Sequence, residues 1–242
     1  MPTVAISVDC EAANAGKCYT RELVRVAEEF TVPLTWLIFV SEKDPMSNMN
    51  FYHSEYLHRI PAWHEIGLLL SFQNSHGYVS DPKERADLIR IGKDVLKACH
   101  IKPTSFRAHS FDLLAADLRP LEDIGILVDA SACPGARDKH EVTWPDGPTQ
   151  PYRPSYDNLN EPGDARLIMA PLATHGGVCG ALDQGWDTVR PVLEHSLAEN
   201  EVTVLALSDD RDNADALRRT LETCRQKRCR FVSLTALAAE HA

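Results

Sequence analysis

The chain alternates short apolar runs with stripes of apolar residues at helical spacing. The runs are TVAISVD (3–9), PLTWLIFV (33–40), HEIGLLLSF (64–72), TSFRAHS (104–110) and GILVDAS (125–131). RLIMAPLA (166–173), EVTVLALSD (201–209) and RFVSLTAL (230–237) follow. They are short, apolar and bounded by turn residues, as parallel strands buried on both faces are. Between them, Leu23, Val26, Ala27 and Phe30 predict a helix over 20–30. Asp81-Pro82 opens the next helix with proline at its first position. Leu88, Ile91, Val95 and Leu96 form its expected apolar stripe. Further helices are expected near 112–123, 184–199 and 213–227, the last with Asn213 as its N-cap.

Strand–helix alternation predicts a parallel sheet. Repeated seven or eight times in 242 residues, it predicts an α/β fold: a distorted (β/α) barrel of about seven parallel strands, one domain over 1–242. Residues 132–165 break the rhythm with Pro, Gly and Asp. They read as a loop excursion at the barrel mouth, or equally as a surface excursion. Trp144, Tyr152 and Tyr156 are a large aromatic content for an idle loop and favour the first.

A chain of this length buries a full core without disulfide or metal staples. Its formal net charge of -10 opposes nucleic-acid and anionic-membrane partners. The seven cysteines show no framework spacing, and Cys224 and Cys229 sit poorly for a bridge. They read as reduced thiols of a cytoplasmic protein. The N-terminus enters a strand at once without a signal-peptide pattern. No apolar run approaches the ~20 residues that span a bilayer.

In a parallel barrel, reactive groups stand where strands end. Asp9 and Glu11 end the first run, two apart, and project the same way from an extended chain. They suit a base with a metal ligand or an acid/base pair. A helix cap, or an ion pair with Lys17, is the plainer alternative. Arg107 and His109 share a face in SFRAHS. Arg107 offers a fork for a carboxylate, and His109 an acid, base or ligand; a satisfied rim histidine is the alternative. Asp129, Asp209 and Asp210 also end strands, although a run such as DDRD suits a solvated turn and helix cap. His175 precedes Gly176-Gly177, which suits either a close approach to a ligand or a turn. Paired CxxC, HExxH, Walker, GxGxxG and GxSxG motifs are missing.

These residues in this order resemble the polysaccharide deacetylase family, closest to its lipopolysaccharide and O-antigen branch. The resemblance runs along nearly the whole chain. It rests on AISVDCE (5–11), VPLTWLIF (32–39), HEIGLLLSF (64–72) and SFRAHSFDLLAADLRPLEDIGILVDASACPG (105–135). PYRPS (151–155), RLIMAPLATHGG (166–177) and the terminal FVSLTALA add to it. It implies a barrel that removes acetyl from an N-acetyl sugar. The implied site has a base Asp, a second acidic metal ligand, two metal-binding His, an Arg that positions the base, and a late acid His. By motif, Asp9 matches the base and Arg107 the positioning Arg. Glu11 is the nearest counterpart of the second acid, with Cys10 the alternative for that slot. The two imidazole places fall on Leu69 and Ser71, or on Leu69 and Gln73 by the family's other spacing. The late His place falls near Ser208 or Asp209, and His109 departs from the family in the other direction.

The resemblance with these departures implies an atypical, metal-free site acting on an N-acetylated carbohydrate, free or nucleotide-linked. Its reaction would be amide hydrolysis or a repurposed one. The other reading is a catalytically inactive carbohydrate-binding or regulatory relative. The expected catalytic set is Asp9, Glu11, Arg107 and His109; the expected substrate-binding set is Trp144, Tyr152, Arg153 and His175. No cofactor is expected. A divalent metal such as zinc would need ligands from outside the usual motif, for example His109 and His175.

Overall fold

The structure is a computed structural model that describes residues 1–11, 17–41, 47–135 and 147–241. In chain order the first elements are β1 (Thr3–Cys10), α1 (Thr20–Phe30), β2 (Thr35–Val40), β3 (Glu65–Leu70), β4 (Gln73–Asn74) and β5 (Gly77–Tyr78). Next come α2 (Pro82–Ala98), β6 (Ser105–Ala108), α3 (Leu118–Asp123), β7 (Val128–Asp129), β8 (Ile168–Met169), β9 (Thr174–His175) and β10 (Val178–Cys179). The chain closes with α4 (Trp186–Glu199), β11 (Val202–Ser208), α5 (Ala214–Gln226), β12 (Arg230–Val232) and α6 (Leu234–His241).

The main sheet runs β11-β1-β2-β3-β6-β7-β8, every pairing parallel, and curls into a half-barrel. β12 pairs with the first half of β1 (Thr3 to Ala5) and β2 with its second half (Ser7 to Cys10). This is the distorted (β/α) barrel that the alternation predicts. Among the described residues no helix is long and apolar enough to cross a membrane.

Register separates the two faces of the sheet. Ser7, Asp9, Leu37, Phe39, Gly67, Leu69, Arg107, Ala206 and Ser208 lie on one face, by the pairings Asp9↔Leu37↔Gly67, Phe39↔Leu69↔Arg107 and Asp9↔Ser208. Val8, Trp36, Ile38, Leu68, Leu70 and Phe106 lie on the other and join the main core. That core takes in the buried stripes of the helices, among them Leu23 and Val26 of α1 and Leu88 and Leu96 of α2. Leu37, Phe39 and Leu69 form a small apolar cluster of their own on the inner face.

Helix boundaries follow local chemistry. The Asp81 carboxylate accepts from the N–H groups of Lys83 and Glu84 and caps α2, with Pro82 at its first position. The buried face of α2 is Arg85, Leu88, Ile89, Gly92 and Leu96. Ile91, expected inside, is exposed, and Arg85 occupies the stripe instead. Asn213 stands at the N-cap position of α5, but its amide donates to Asp183 and to the Ser208 carbonyl; Asp212 accepts from Ala214 N–H instead.

The last expected strand, 230–237, is half helix. Leu234, Leu237 and Ala238 bury one face at helical spacing, and Ser233 accepts from the N–H groups of Ala236 and Leu237. The runs 125–131 and 166–173 contribute only Val128–Asp129 and Ile168–Met169 to the ladder. Beyond β8 the excursion itself continues the pairing, through an antiparallel bridge between Tyr152 and Met169. The helix expected over 112–123 starts as a 3₁₀ turn at Ala115–Asp117 and becomes α-helical at Leu118.

Candidate active site

The carboxyl ends of β1 and β6 bring the four expected catalytic residues together. Arg107 is buried and uses its whole fork. Nη1 donates to Asp9 Oδ1 at 2.5 Å, Nη2 to Ser7 Oγ at 2.8 Å, and Nε to the Ala130 carbonyl at 2.9 Å. Ser7 passes its own proton to the Leu205 carbonyl at 3.2 Å. Asp9 is thereby fixed from three strands, with its position on the inner face set by the alternation of β1. Burial pushes its carboxyl up to about 6. Arg107 pulls it down, and the charges of Glu11 and Asp183 push it up again.

Glu11 and His109 make a second pair, with Nε2 and Oε1 3.3 Å apart. Burial disfavours the imidazolium, but the Glu11 hydrogen bond and charge, with the charge of Asp9, outweigh it, and His109 is raised from its ordinary value. The His109 ring packs on Phe39, ring centres 5.0 Å apart. The strand ends at Ala108, so His109 opens a 3₁₀ turn instead of continuing β6. Asp209 sets Glu11 in place: buried, it accepts from Glu11 N–H at 2.8 Å and from Thr20 Oγ1 at 3.1 Å. It ties the exit of β1 to the start of α1 and is no solvated turn residue.

Two further carboxylates bear on the site. Asp129 is fully buried and accepts from Ser131 N–H at 2.8 Å and Ser131 Oγ at 3.0 Å. Burial drives it up to about 7 against those bonds and the Arg107 charge. Asp183 accepts from Ser208 N–H at 2.9 Å and Asn213 Nδ2 at 2.5 Å, and burial raises it too. The sequence carries little signal for Asp183. It lies in a 3₁₀ turn (Leu182–Gln184) with no strand-end pattern and reaches the site because Ala181 bridges Ala206 beside β11.

Tyr152, Arg153 and His175, expected to bind substrate, make their hydrogen bonds and ring contacts outside this group. Tyr152 donates to the Leu159 carbonyl, and Arg153 to the carbonyls of Ala165 and Arg166, so both brace the excursion. His175 is exposed and stacks on His195 of α4, ring centres 4.1 Å apart. Gly176 and Gly177, with φ of 61° and 83°, make the tight hairpin turn between β9 and β10. Trp144 lies outside the described residues.

The wall facing Asp9 is apolar. Leu69 is fully buried with Leu37 and Phe39, and Ser71 is buried with its N–H on the Val40 carbonyl at 3.2 Å. Among the described residues no group of three or more His, Cys, Asp or Glu is placed to hold a metal ion.

A curled parallel sheet that carries Asp9 and Arg107 on its inner face has many structural counterparts. The fold is that of the polysaccharide deacetylases. A candidate polysaccharide deacetylase from Mycobacterium smegmatis superposes with a TM-score of 0.66 at 15% identity, over 98% of this chain and 89% of that one. A candidate glycoside hydrolase/deacetylase from Parabacteroides distasonis gives 0.70 at 13% identity, over 99% and 70%. A CE4 family pseudoenzyme from Bacillus anthracis gives 0.60 at 10%, over 98% and 66%. No family model matches the sequence, and no curated protein matches it. The polysaccharide deacetylase fold therefore rests on shape, with little sequence in common.

Proposed function

We propose that the protein hydrolyses the acetamide of an N-acetylated carbohydrate, free or nucleotide-linked, as an atypical member of the polysaccharide deacetylase family in its lipopolysaccharide branch. The observation that carries this reading is the Arg107–Asp9 ion pair beside the Glu11–His109 pair at the ends of β1 and β6. Asp9, held by Arg107, takes a proton from the attacking water as its oxygen bonds to the acetyl carbon. His109, whose imidazolium Glu11 favours, gives a proton to the sugar nitrogen as the C–N bond breaks, leaving acetate and the amine. A cytoplasmic setting goes with this reading, as expected for cysteines without framework spacing.

The family's divalent metal would supply a water activated near neutral pH. The described residues do not fit it. Leu69 presents hydrocarbon where the resemblance puts an imidazole, Asp9 is committed to Arg107, and Glu11 to His109. No step here runs through a metal.

Acetate release from N-acetylated chitooligosaccharides and nucleotide-linked N-acetylhexosamines, assayed with a chelator present, tests the reading. Asp9→Asn should lower the rate roughly 10²–10⁴-fold, the usual weight of a general base. Undiminished release by folded Asp9→Asn protein would sink the assignment. The second reading, an inactive carbohydrate binder, is favoured by the buried Leu37–Phe39–Leu69 cluster, which puts hydrocarbon where the resemblance puts a metal-binding imidazole. It predicts calorimetric binding of the same sugars with no acetate from the wild type.

A further inference from the structure

Arg85 of α2 is fully buried on a helix face that is otherwise apolar, and its guanidinium has a partner for every N–H. Nε donates to Asp117 at 2.9 Å, and Nη2 to Asp117 at 2.6 Å and to the Asp112 carbonyl at 2.8 Å. Nη1 reaches the Val79 carbonyl at 3.2 Å, and Asp112 Oδ2 and the Tyr78 hydroxyl at 3.3 Å. Its central carbon lies 3.4 Å from the Phe72 ring centre, just past the end of β3. Tyr78 closes the circuit by donating to Asp112 Oδ1 at 3.0 Å, and Asp117 accepts from Leu114 N–H at 2.8 Å.

Most of these contacts fall on the segment that starts with His109. The backbone directly after that histidine is unusual. Ser110 and Phe111 both have φ of 58°, a left-handed conformation that side-chain-bearing residues adopt only when surroundings impose it. Asp112 comes next, and Arg85 grips both its carbonyl and its carboxylate. The left-handed pair follows directly on His109, whose ring faces Glu11 and Phe39.

We propose that Arg85 is a positioning residue for the site: through Asp112 and Asp117 it holds the strained turn that sets His109 against Glu11. The proposal rests on the reading of Glu11–His109 as a working pair, but its test does not depend on catalysis. A purely structural role would change stability alone, whereas a positioning role changes the titration of one ring.

The experiment follows the His109 imidazole by NMR against pH in wild type, Glu11→Gln, Arg85→Lys, Arg85→Met and Asp112→Ala proteins, each shown to be folded by cooperative thermal unfolding. Arg85→Lys keeps the charge and loses the fork. Arg85→Met removes a positive charge, which through space alone would raise the His109 midpoint. Positioning predicts the opposite: in all three variants the midpoint falls toward that of Glu11→Gln. A wild-type midpoint in any folded variant, or a rise in Arg85→Met, overturns the proposal. If the Arg85 variants fail to fold, Asp112→Ala is compared with Asp112→Asn, which loses the same charge but keeps an acceptor for Arg85; a lower midpoint in Asp112→Ala supports positioning, and equal midpoints overturn it. Loss of acetate release has no bearing on this outcome, so the two readings fail separately.

Discussion

His109 holds its proton to higher pH than an isolated imidazole because Glu11 and Asp9 stabilise the cation more than burial penalises it. A raised folded-state value adds stability that is complete below the unfolded value and is lost as pH rises through the folded one. Glu11→Gln removes the main partner, so the His109 midpoint should drop, read by NMR titration. Asp129 obeys the same sign for another reason. Burial lifts it from 3.8 to about 7, so ionising it costs folding energy as pH climbs between those values. Asp129→Asn, whose amide can still meet Ser131, should gain stability relative to wild type as pH rises from about 4 to 7. Thermal unfolding across that range checks it, and a constant difference would disprove the burial argument. Asp9 and Arg107 were legible singly because alternation along a strand fixes which side chains share a face, and Glu11 and His109 because each lies just past a strand end. Asp183 and Arg85 were not, since each acts through partners remote in sequence.

At the scale of elements, β3 shows how closely the sheet packs. A Cβ on Gly67 would meet Ser105 Oγ at 2.1 Å, the Ser105 carbonyl at 2.6 Å and Leu37 Cδ2 at 2.7 Å. Gly67→Ala should therefore destabilise the fold by about 1–3 kcal/mol, the usual cost of overfilling a packed interior, measured by denaturant unfolding. Helix periodicity told α1 and α2 well because capping and stripe agree. It misplaced Ile91, which is exposed, while Leu88 and Leu96 are buried and Val95 packs on the core as expected; Arg85, with a complete set of partners, takes a buried place that periodicity did not assign. RFVSLTAL reads as a strand by its apolar residues, yet tertiary contacts divide it. Leu234 N–H goes to Thr35 Oγ1 and Thr235 to the Glu65 carboxylate, anchoring a helix start there.

For the molecule as a whole, the site combines two ion pairs with an apolar wall. The metal-free reading predicts no stoichiometric zinc, cobalt or nickel in purified protein by elemental analysis. It also predicts that chelator leaves both acetate release and the melting temperature unchanged. One tightly held ion per chain, whose removal lowers either, would require ligands beyond the described residues and would overturn that reading.

The sequence by itself determined the strand–helix alternation, hence the parallel curled sheet, and the strand-end placement of Asp9, Glu11, Arg107 and His109, because both follow from local periodicity. Only the tertiary structure decided that His109 pairs with Glu11 beside the Arg107–Asp9 pair that the resemblance implies, that Asp129 and Asp183 press on the site, and that Leu69 is walled in with Leu37 and Phe39. Those facts depend on strand order, register and burial, which join residues up to two hundred positions apart and have no signature in any short stretch of chain.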